Sequence, residues 1–233
     1  MSTLFSVITP TYNRGYILWK VIQSIQNQTY PNWEMIIIDD GSTDDTQRIV
    51  AEFQKDERIK CFYKKHENGS IARNFGLKKS KGNIITYIDS DDPVYEVYLQ
   101  TALEHFKKNP KRVFAICNYN RRRELYDKDY NLVDFTDVSS AQKLNVTLQD
   151  FYYWDVKTCG TGIFHKRVVL EKKVLWDKYF RMLDDLDFIL QMGRHFPNGY
   201  FHIPAVLFEY LQKYGGDGVC SNTSYVEQAE AFV

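Results

Sequence analysis

Short, largely apolar runs recur along the first half of the chain, and segments with helical apolar spacing lie between them. Four such runs are predicted strands, at residues 5–8, 35–38, 59–63 and 84–88. Short runs of this kind are typical of strands buried in a parallel sheet. Helical spacing covers residues 17–25 and 70–79, and Ser42 is a predicted helix N-cap with Asp45 in the favoured first turn. Strands that alternate with helices require right-handed crossovers, so this half predicts a parallel α/β sheet.

The pattern becomes looser after about residue 110. Strands are predicted at residues 113–118, 160–164 and 206–211, and a helix at 185–195. Residues 121–138 are polar and aromatic, and they are interpreted as a hairpin or an irregular excursion. We therefore predict one compact domain with an α/β half over residues 1–110 and a smaller mixed half over residues 111–233.

The composition indicates a globular protein without a general affinity for nucleic acid. Hydrophobic residues make up 44% of the 233 residues, and 30 basic side chains balance 30 acidic ones. A neutral chain lacks the positive field of a nucleic-acid binder, so a bound anion has to be held by local groups or by a metal ion.

The cysteine spacing and the N-terminus indicate the compartment. The four cysteines form no C-x-x-C pair, which favours lone thiols in a reducing environment over a zinc site or a disulfide framework. The chain shows neither a secretory signal nor an apolar run long enough to span a membrane. These features predict a cytoplasmic protein, with peripheral contact to a membrane left open.

Three acids follow the fourth predicted strand within four residues, as Asp89-Ser90-Asp91-Asp92. The C-terminal ends of strands in an open α/β sheet are where such folds bind ligands. Crowded carboxylates repel one another unless a cation offsets them, and oxygen ligands of this kind suit Mn²⁺ or Mg²⁺. The alternative is a solvated acidic turn that caps the next helix.

Three other polar segments also follow predicted strands, at residues 9–14, 39–42 and 68–74. In a parallel sheet these ends share one edge with the acidic loop. Asn68 opens a helix whose N-terminus favours an anion, and Arg73 is placed to pair with a phosphate or with an aspartate of the acidic loop. An exposed surface arginine is the alternative.

Together these segments resemble the family 2 glycosyltransferases, which have the GT-A fold. The motifs are Thr9-Pro10-Thr11-Tyr12-Asn13-Arg14, Asp39-Asp40-Gly41-Ser42, Asn68-Gly69-Ser70-Ile71-Ala72-Arg73-Asn74 and Asp89-Ser90-Asp91, and Leu183-Asp184-Asp185-Leu186-Asp187 is similar to the family's E-D-x-D segment. The likeness is dense over the first hundred residues and thinner beyond them. It implies a Rossmann-like, mostly parallel sheet flanked by helices, with residues 1–110 binding a nucleotide sugar and residues 111–233 on the acceptor side.

The resemblance also assigns the donor site. Tyr12 is expected to stack on the nucleotide base, Pro10 and Thr11 to lend backbone groups to it, and Asp40 to pair with its edge. The alternatives from the residues alone are a core wedge for Tyr12 and a turn cap for Asp40. Asn68 and Arg73 are expected near the diphosphate.

By the same likeness, Asp91 binds the divalent cation, Asp89 contacts the ribose or a metal-bound water, and Ser90 belongs to the same donor loop. Inversion requires a base on the face opposite the leaving group, and Asp185 matches the second acid of the family pair. Asp184 stands where the family commonly has glutamate, so its role is open.

Two departures from the family pattern concern the end of the domain. Residues 210–214 lack the Arg and His of a closing segment, which leaves Lys213 and the flexible stretch 215–218 as candidates for that contact. The arginine-tryptophan pair of processive members is absent after Gln191, which favours transfer of a single sugar.

The expected function is transfer of one sugar, with inversion and with a metal ion, from a nucleoside diphosphate sugar, most often UDP-linked. The acceptor is a hydroxyl of a saccharide, a lipid-linked saccharide or a protein. A nucleotidyltransferase that makes sugar nucleotides is one alternative, although Asn13-Arg14-Gly15 is not the Gly-rich loop of that class. A nucleotide-sugar-binding module without turnover is the other.

Overall fold

A computed structural model describes residues 2–126, 132–138, 146–152, 159–180 and 182–214. The strands are β1 (Phe5–Thr11), β2 (Trp33–Asp39), β3 (Ile59–Tyr63), β4 (Ile84–Tyr87), β5 (Phe114–Tyr126), β6 (Leu132–Val138), β7 (Ile163–Lys166) and β8 (Tyr200–Tyr214). The α-helices are α1 (Gly15–Gln26), α2 (Thr46–Phe53), α3 (Gly69–Lys79), α4 (Tyr98–Lys108), α5 (Leu148–Tyr152) and α6 (Asp184–His195). A 3₁₀ helix spans Arg167–Lys172.

The strands form one mixed sheet in the order β3-β2-β1-β4-β7-β5-β6, with β8 paired to β5. The first four strands are parallel, and β7 lies antiparallel to both β4 and β5. Strand β8 runs parallel to β5. The predicted α/β class with a mostly parallel sheet is confirmed, whereas the division near residue 110 stays a prediction.

The two faces of β1 pack against different helices. Phe5 and Val7 share a core with Leu18 of α1 and Leu99 of α4, whereas Ile8 faces the opposite side. Alternate residues of a strand point to opposite faces, so a fully apolar strand needs helices on both.

A glycine brings α3 close to β1 on the second face. A Cβ added at Gly76 would lie 2.5 Å from Cγ2 of Ile8, so only glycine permits this approach. Because α3 is held so close, its N-terminus is fixed at the edge where β1, β2 and β4 end.

Three local features differ from the sequence predictions. Helix α2 begins at Thr46, and the hydroxyl of Ser42 accepts from the backbone N–H of Asn13 at 2.9 Å, so the predicted cap at Ser42 is wrong. Helix α4 was not predicted. The strand expected at 160–164 lies at Ile163–Lys166, because Gly162 has φ 90° and turns the chain into it.

Two expectations concern the wider chain. Among the described residues, no helix is long and apolar enough to cross a membrane. Cys61, Cys117 and Cys159 are free thiols, and Cys220 lies outside the described residues.

Candidate active site

The carboxyl ends of β1 and β2 meet side by side, as the sequence predicted. Thr11 is paired with Asp39 in the parallel register, and the N–H of Asp40 donates to the carbonyl of Thr11 at 2.9 Å. The hydroxyl of Thr11 is buried and has no hydrogen-bond partner within the described part of the chain. An orphaned hydroxyl at this edge is costly unless a ligand satisfies it.

The acidic loop after β4 is held by a threonine distant in sequence. The Thr161 hydroxyl accepts from the N–H of Asp89 at 2.9 Å and donates to Asp92 at 2.7 Å. The other oxygen of Asp92 accepts from the N–H of Leu211. Asp92 is buried, and burial, with Asp91 and Asp89 adding to it, raises its pKa well above the usual range. Asp92 therefore anchors the loop, a role that the sequence did not indicate.

Arg73 joins this loop to the start of α6. Its guanidinium donates at 2.6 Å to Asp89 and at 3.0 Å to Asp184, and it lies 4.5 Å from the ring centroid of Trp176. Burial lowers the pKa of Arg73, but Asp89 and Asp184 outweigh it and raise the pKa overall. Of the predicted alternatives, pairing with an aspartate is observed and an exposed arginine is wrong. Burial raises the pKa of Asp89, although Arg73 opposes that shift.

A glycine lets the 159–162 turn approach this ion pair. A Cβ on Gly160 would lie 2.9 Å from Nη2 of Arg73 and 3.0 Å from Oδ1 of Asp89. Both atoms are fixed by their own ion pair, so a larger side chain has no room there. Gly160 was predicted to lie in a strand, so this close approach was not expected.

Helix α6 begins with the two acids that resemble the family pair. Asp184 accepts from Arg73 and from the hydroxyl of Ser70 at 2.9 Å, which makes it a structural anchor. Asp185 is 8% exposed, and its Oδ1 accepts from the N–H of Leu186 at 2.8 Å. Asp187 accepts from the side-chain amide of Gln191 one turn later.

Asp185 lies close enough to Arg73 to act on its charge. Its carboxylate helps to raise the pKa of Arg73. Asp89, Arg73, Asp184 and Asp185 therefore lie together between β4 and α6, although 112 positions separate Arg73 from Asp185 in the sequence.

On the other side of the edge, the ring of Tyr12 is 41% exposed and stacks on His66 with ring centroids 4.0 Å apart at an angle of 20°. The predicted alternative of Tyr12 as a core wedge is wrong. Half of the His66 side chain is exposed. Its aromatic contact could not be seen from the sequence, because it depends on how the loop after β3 folds back.

Asp40 is buried and well supplied with donors. The ammonium group of Lys64 binds its Oδ1, the N–H of Glu67 donates to its carboxylate at 3.1 Å, and Nδ1 of His66 lies 2.9 Å from Oδ2. Burial lowers the pKa of Lys64, but Asp40 and Glu67 reverse that and raise it. The carboxylate thus ties the loop of residues 64–67 to the end of β2.

Asn68 is the N-cap of α3. Its Oδ1 accepts from the N–H of Ile71 at 2.9 Å, and its Nδ2 donates to the carbonyl of Lys178 at 3.1 Å. Pro10 lies in β1 opposite Ile38, and Ser90 is buried in the acidic loop. Two candidates were predicted for a contact that closes over the donor. Lys213 lies in β8, and residues 215–218 lie outside the described residues.

The described residues contain no group of three or more His, Cys, Asp or Glu placed to hold a metal ion. Asp89 is engaged by Arg73 and Asp92 by Thr161, and Asp91 is half-buried between them in the same loop. The donor chemistry still fits Mg²⁺ or Mn²⁺, because these ions commonly take one or two carboxylates and complete their shell with substrate phosphates and water.

Known proteins resemble the chain in sequence and in structure. The model of the family "Glycosyl transferase family 2" matches residues 6–171. The GalNAc(5)-diNAcBac-PP-undecaprenol beta-1,3-glucosyltransferase of Campylobacter jejuni is 33% identical over 181 residues, which cover 75% of this chain and 55% of the relative. The chain thus spans about half the length of that relative.

Two solved structures share the fold. Staphylococcus aureus TarS 1–349 in complex with UDP-GlcNAc superposes with a TM-score of 0.73 at 18% identity, covering 94% of this chain and 60% of that 1–349 chain. The mannosyltransferase PcManGT of Pyrobaculum calidifontis, solved with GDP-Man and Mn²⁺, gives 0.63 at 19% identity, covering 88% and 56%. The chain belongs to the family 2 glycosyltransferases and has the GT-A fold.

Proposed function

We propose that the protein is a metal-dependent, inverting hexosyltransferase that moves one sugar from a UDP-sugar to a hydroxyl of a saccharide, lipid-linked saccharide or protein acceptor. The observation that carries the proposal is the pair of ion bridges from Arg73 to Asp89 and to Asp184. These bridges bring the acidic loop of the sheet and the acid pair of α6 to one edge. A donor-binding group and a proton acceptor are both needed there for a transfer reaction.

The exposed face of Tyr12 supports the assignment of the base. Stacking gives affinity for any base, so selectivity for uracil has to come from groups at its edge. Thr11 ends β1 beside Asp40, which follows β2, and the hydroxyl of Thr11 has no hydrogen-bond partner among the described residues. A base on that aromatic ring would compete with Lys64 and His66 for the carboxylate of Asp40. Pro10 is proposed to offer backbone groups to the same base.

The diphosphate is proposed to lie between the N-terminus of α3 and Asp91. The first turn of a helix leaves N–H groups without partners inside the helix, and in α3 Asn68 caps that of Ile71, so the other N–H groups of this turn favour an anion. Asp91 would hold Mn²⁺ or Mg²⁺, which supplies positive charge against the departing diphosphate. Asp89, fixed by Arg73, is left to accept from a ribose hydroxyl or a bound water, with Ser90 next to it.

Asp185 is proposed as the general base. A hydroxyl is a weak nucleophile at neutral pH, so a positioned carboxylate that takes its proton lowers the barrier. Asp185 is buried at the first turn of α6, and Arg73 and Asp184 hold that turn in place. The hydroxyl of the acceptor then attacks the anomeric carbon from the face opposite the diphosphate, the proton goes to Asp185, and the bond to the diphosphate breaks with inversion.

One relative supports a lipid-linked saccharide as the acceptor. The Campylobacter relative is named for an undecaprenol-linked saccharide, which supports polysaccharide or oligosaccharide assembly on a lipid carrier. Such a reaction suits a cytoplasmic protein in peripheral contact with the membrane.

Calorimetry and a transfer assay test this function together. Titration of the protein with UDP, with and without Mn²⁺, should show metal-dependent binding that Asp91→Asn abolishes and Asp185→Asn retains. Both variants should lose transfer from UDP-sugars. Asp45→Asn is the matched control, because Asp45 is an exposed aspartate paired with Arg48 outside the site. Full transfer by Asp91→Asn or Asp185→Asn would contradict the assigned roles, and UDP binding without turnover of any UDP-sugar by the wild type would favour a binding module.

A further inference from the structure

Exposed apolar side chains concentrate in one segment of the molecule. Of the 11 large hydrophobic residues that are exposed in the described part of the chain, five fall between residues 175 and 183. They are Leu175, Tyr179, Phe180, Met182 and Leu183, and Tyr179 is 81% exposed. Single exposed apolar residues are ordinary, but a cluster of this kind usually marks a binding surface.

The segment is fixed to the body of the protein. Trp176 is buried and stacks on Phe188 with ring centroids 4.6 Å apart. The side-chain amide of Asn74 donates to the carbonyl of Trp176 at 2.7 Å and accepts from its N–H at 3.0 Å. Asn68 donates to the carbonyl of Lys178. The backbone is thus held at several points while the apolar side chains face outward.

The same segment is basic. Residues 172–183 include Lys172, Lys173, Lys178 and Arg181 against one acid, Asp177. The three lysines are exposed, and Nζ of Lys178 lies 4.9 Å from the ring centroid of Tyr179. Aromatic and aliphatic side chains beside lysines are the composition of surfaces that insert into the headgroup region of anionic membranes.

The segment leads directly into the site. Leu183 has φ 62°, a left-handed conformation that is uncommon for leucine, and the next residue is Asp184, the first of α6. Such strained positions persist where the surrounding structure imposes them. The left-handed conformation of Leu183 turns the chain from the exposed cluster into the helix that carries Asp185.

We propose that residues 172–180 and 182–183 form a docking surface for an anionic phospholipid bilayer. Docking places the acid pair of α6 next to the headgroups, where the sugar of a lipid-linked acceptor would lie. The placement of the acid pair beside a lipid-linked acceptor rests on the proposed transferase function, whereas membrane binding itself does not. A symmetric contact between two copies of the chain through this surface would set lysines against lysines, so charge complementarity favours the bilayer over a second copy.

Vesicle sedimentation tests the surface. The wild type is mixed with vesicles of phosphatidylcholine alone and with vesicles in which about a third of the lipid is phosphatidylglycerol. We expect binding to the second kind only, weakened by high salt. Tyr179→Ser combined with Phe180→Ser should reduce binding about tenfold or more. Lys172→Gln combined with Lys178→Gln should reduce it about twenty-five-fold, at about fivefold for each lysine.

The matched control is Tyr16→Ser combined with Trp19→Ser, which removes an exposed aromatic pair from α1 next to Lys20. This variant should bind vesicles as the wild type does. Thermal melting shows whether each variant is folded, and sedimentation velocity measures the oligomeric state. Equal binding by all variants, no binding by the wild type, or dimerisation that the Tyr179 and Phe180 changes abolish without vesicle binding would overturn the proposal.

Calorimetry with UDP on the same preparations separates the two proposals. UDP binding without vesicle binding refutes the docking surface and leaves the transferase function in place. Vesicle binding by a protein that neither binds UDP nor turns over any UDP-sugar refutes the transferase function and leaves the docking surface in place.

Discussion

The guanidinium of Arg73 donates at 3.0 Å to Asp184, a residue 111 positions later in the chain. The same guanidinium donates to Asp89. One buried side chain therefore fixes the distance between the donor loop and the helix that carries Asp185, and several consequences of this geometry can be measured.

Replacement of Arg73 by methionine should lower both stability and transfer. Asp89 and Asp184 would lose their shared partner in a largely buried position, and breaking such a pair costs about 3 kcal/mol or more. Urea unfolding measures the stability, and the transfer assay the activity. Arg48→Met is the control, because Arg48 makes only exposed ion pairs on α2 and its loss should change little. Equal stability of the two variants would contradict the structural role of Arg73.

Replacement of Gly160 by alanine should disturb the same ion pair from the other side. The new Cβ would lie within about 3 Å of both Arg73 and Asp89, and overpacking of this kind costs about 1–3 kcal/mol. We expect a lower melting temperature and reduced transfer with UDP binding largely kept. Gly69→Ala is a milder comparison, because its Cβ would approach only Nη1 of Arg73, at 3.2 Å. An unchanged melting temperature and unchanged transfer in Gly160→Ala would show that the 159–162 turn can move away from the Arg73–Asp89 ion pair.

Replacement of Tyr12 by alanine should weaken UDP binding, since stacking of a base on an aromatic ring contributes about 1–3 kcal/mol. That range corresponds to a loss of affinity of about fivefold to over a hundredfold. Tyr12→Phe keeps the ring and should bind nearly as the wild type does. Calorimetry with UDP distinguishes the two variants, and equal affinities for Ala and Phe would place the base elsewhere.

The stability of the fold should decrease below about pH 6.5 because of one buried histidine. Burial lowers the pKa of His165 to about 4 from its usual value of about 6.5. Its Nε2 lies 3.0 Å from the hydroxyl of Tyr87 and its Nδ1 3.0 Å from the carbonyl of Lys166, an arrangement that a neutral ring satisfies. The unfolded chain therefore binds a proton that the folded chain does not, so the stabilisation is complete above about pH 6.5 and is lost as the pH falls towards 4.

The size of this effect is about 3 kcal/mol between pH 7 and pH 4, taking about 1.4 kcal/mol for each unit of pKa. Urea unfolding across that range measures the slope, and His165→Asn should flatten it. His195→Gln, at an exposed position, serves as the control and should leave the slope unchanged. A wild-type slope that His165→Asn does not change would assign the acid sensitivity to other groups.

Local pattern was enough to predict the four parallel strands and the edge where their loops meet. Strands β1, β2 and β4 are short and largely apolar because both faces are covered, whereas the outer strand β3 leaves Lys60 and Tyr63 exposed. Helix α4 was visible as well, since Tyr98, Leu99, Ala102, Leu103 and Phe106 recur at helical spacing, but that signal was not used.

The contacts that organise the site join residues that are distant in sequence, so no local pattern predicts them. Thr161 reaches Asp89 and Asp92 across 72 and 69 positions, and Asp184 reaches Arg73 across 111. Sequence spacing carries no information about such pairs, because they depend on how the second half of the chain packs on the first. The family likeness pointed to the acids, and only the folded structure shows which of them are bound to one another.

A crystal structure with UDP and Mn²⁺ tests the central claim most directly. The account predicts an anomalous manganese peak at the carboxylate of Asp91, the diphosphate between that ion and the N-terminus of α3, and uracil on the ring of Tyr12. A nucleotide bound at the opposite edge of the sheet, or bound here without manganese at Asp91, would contradict it.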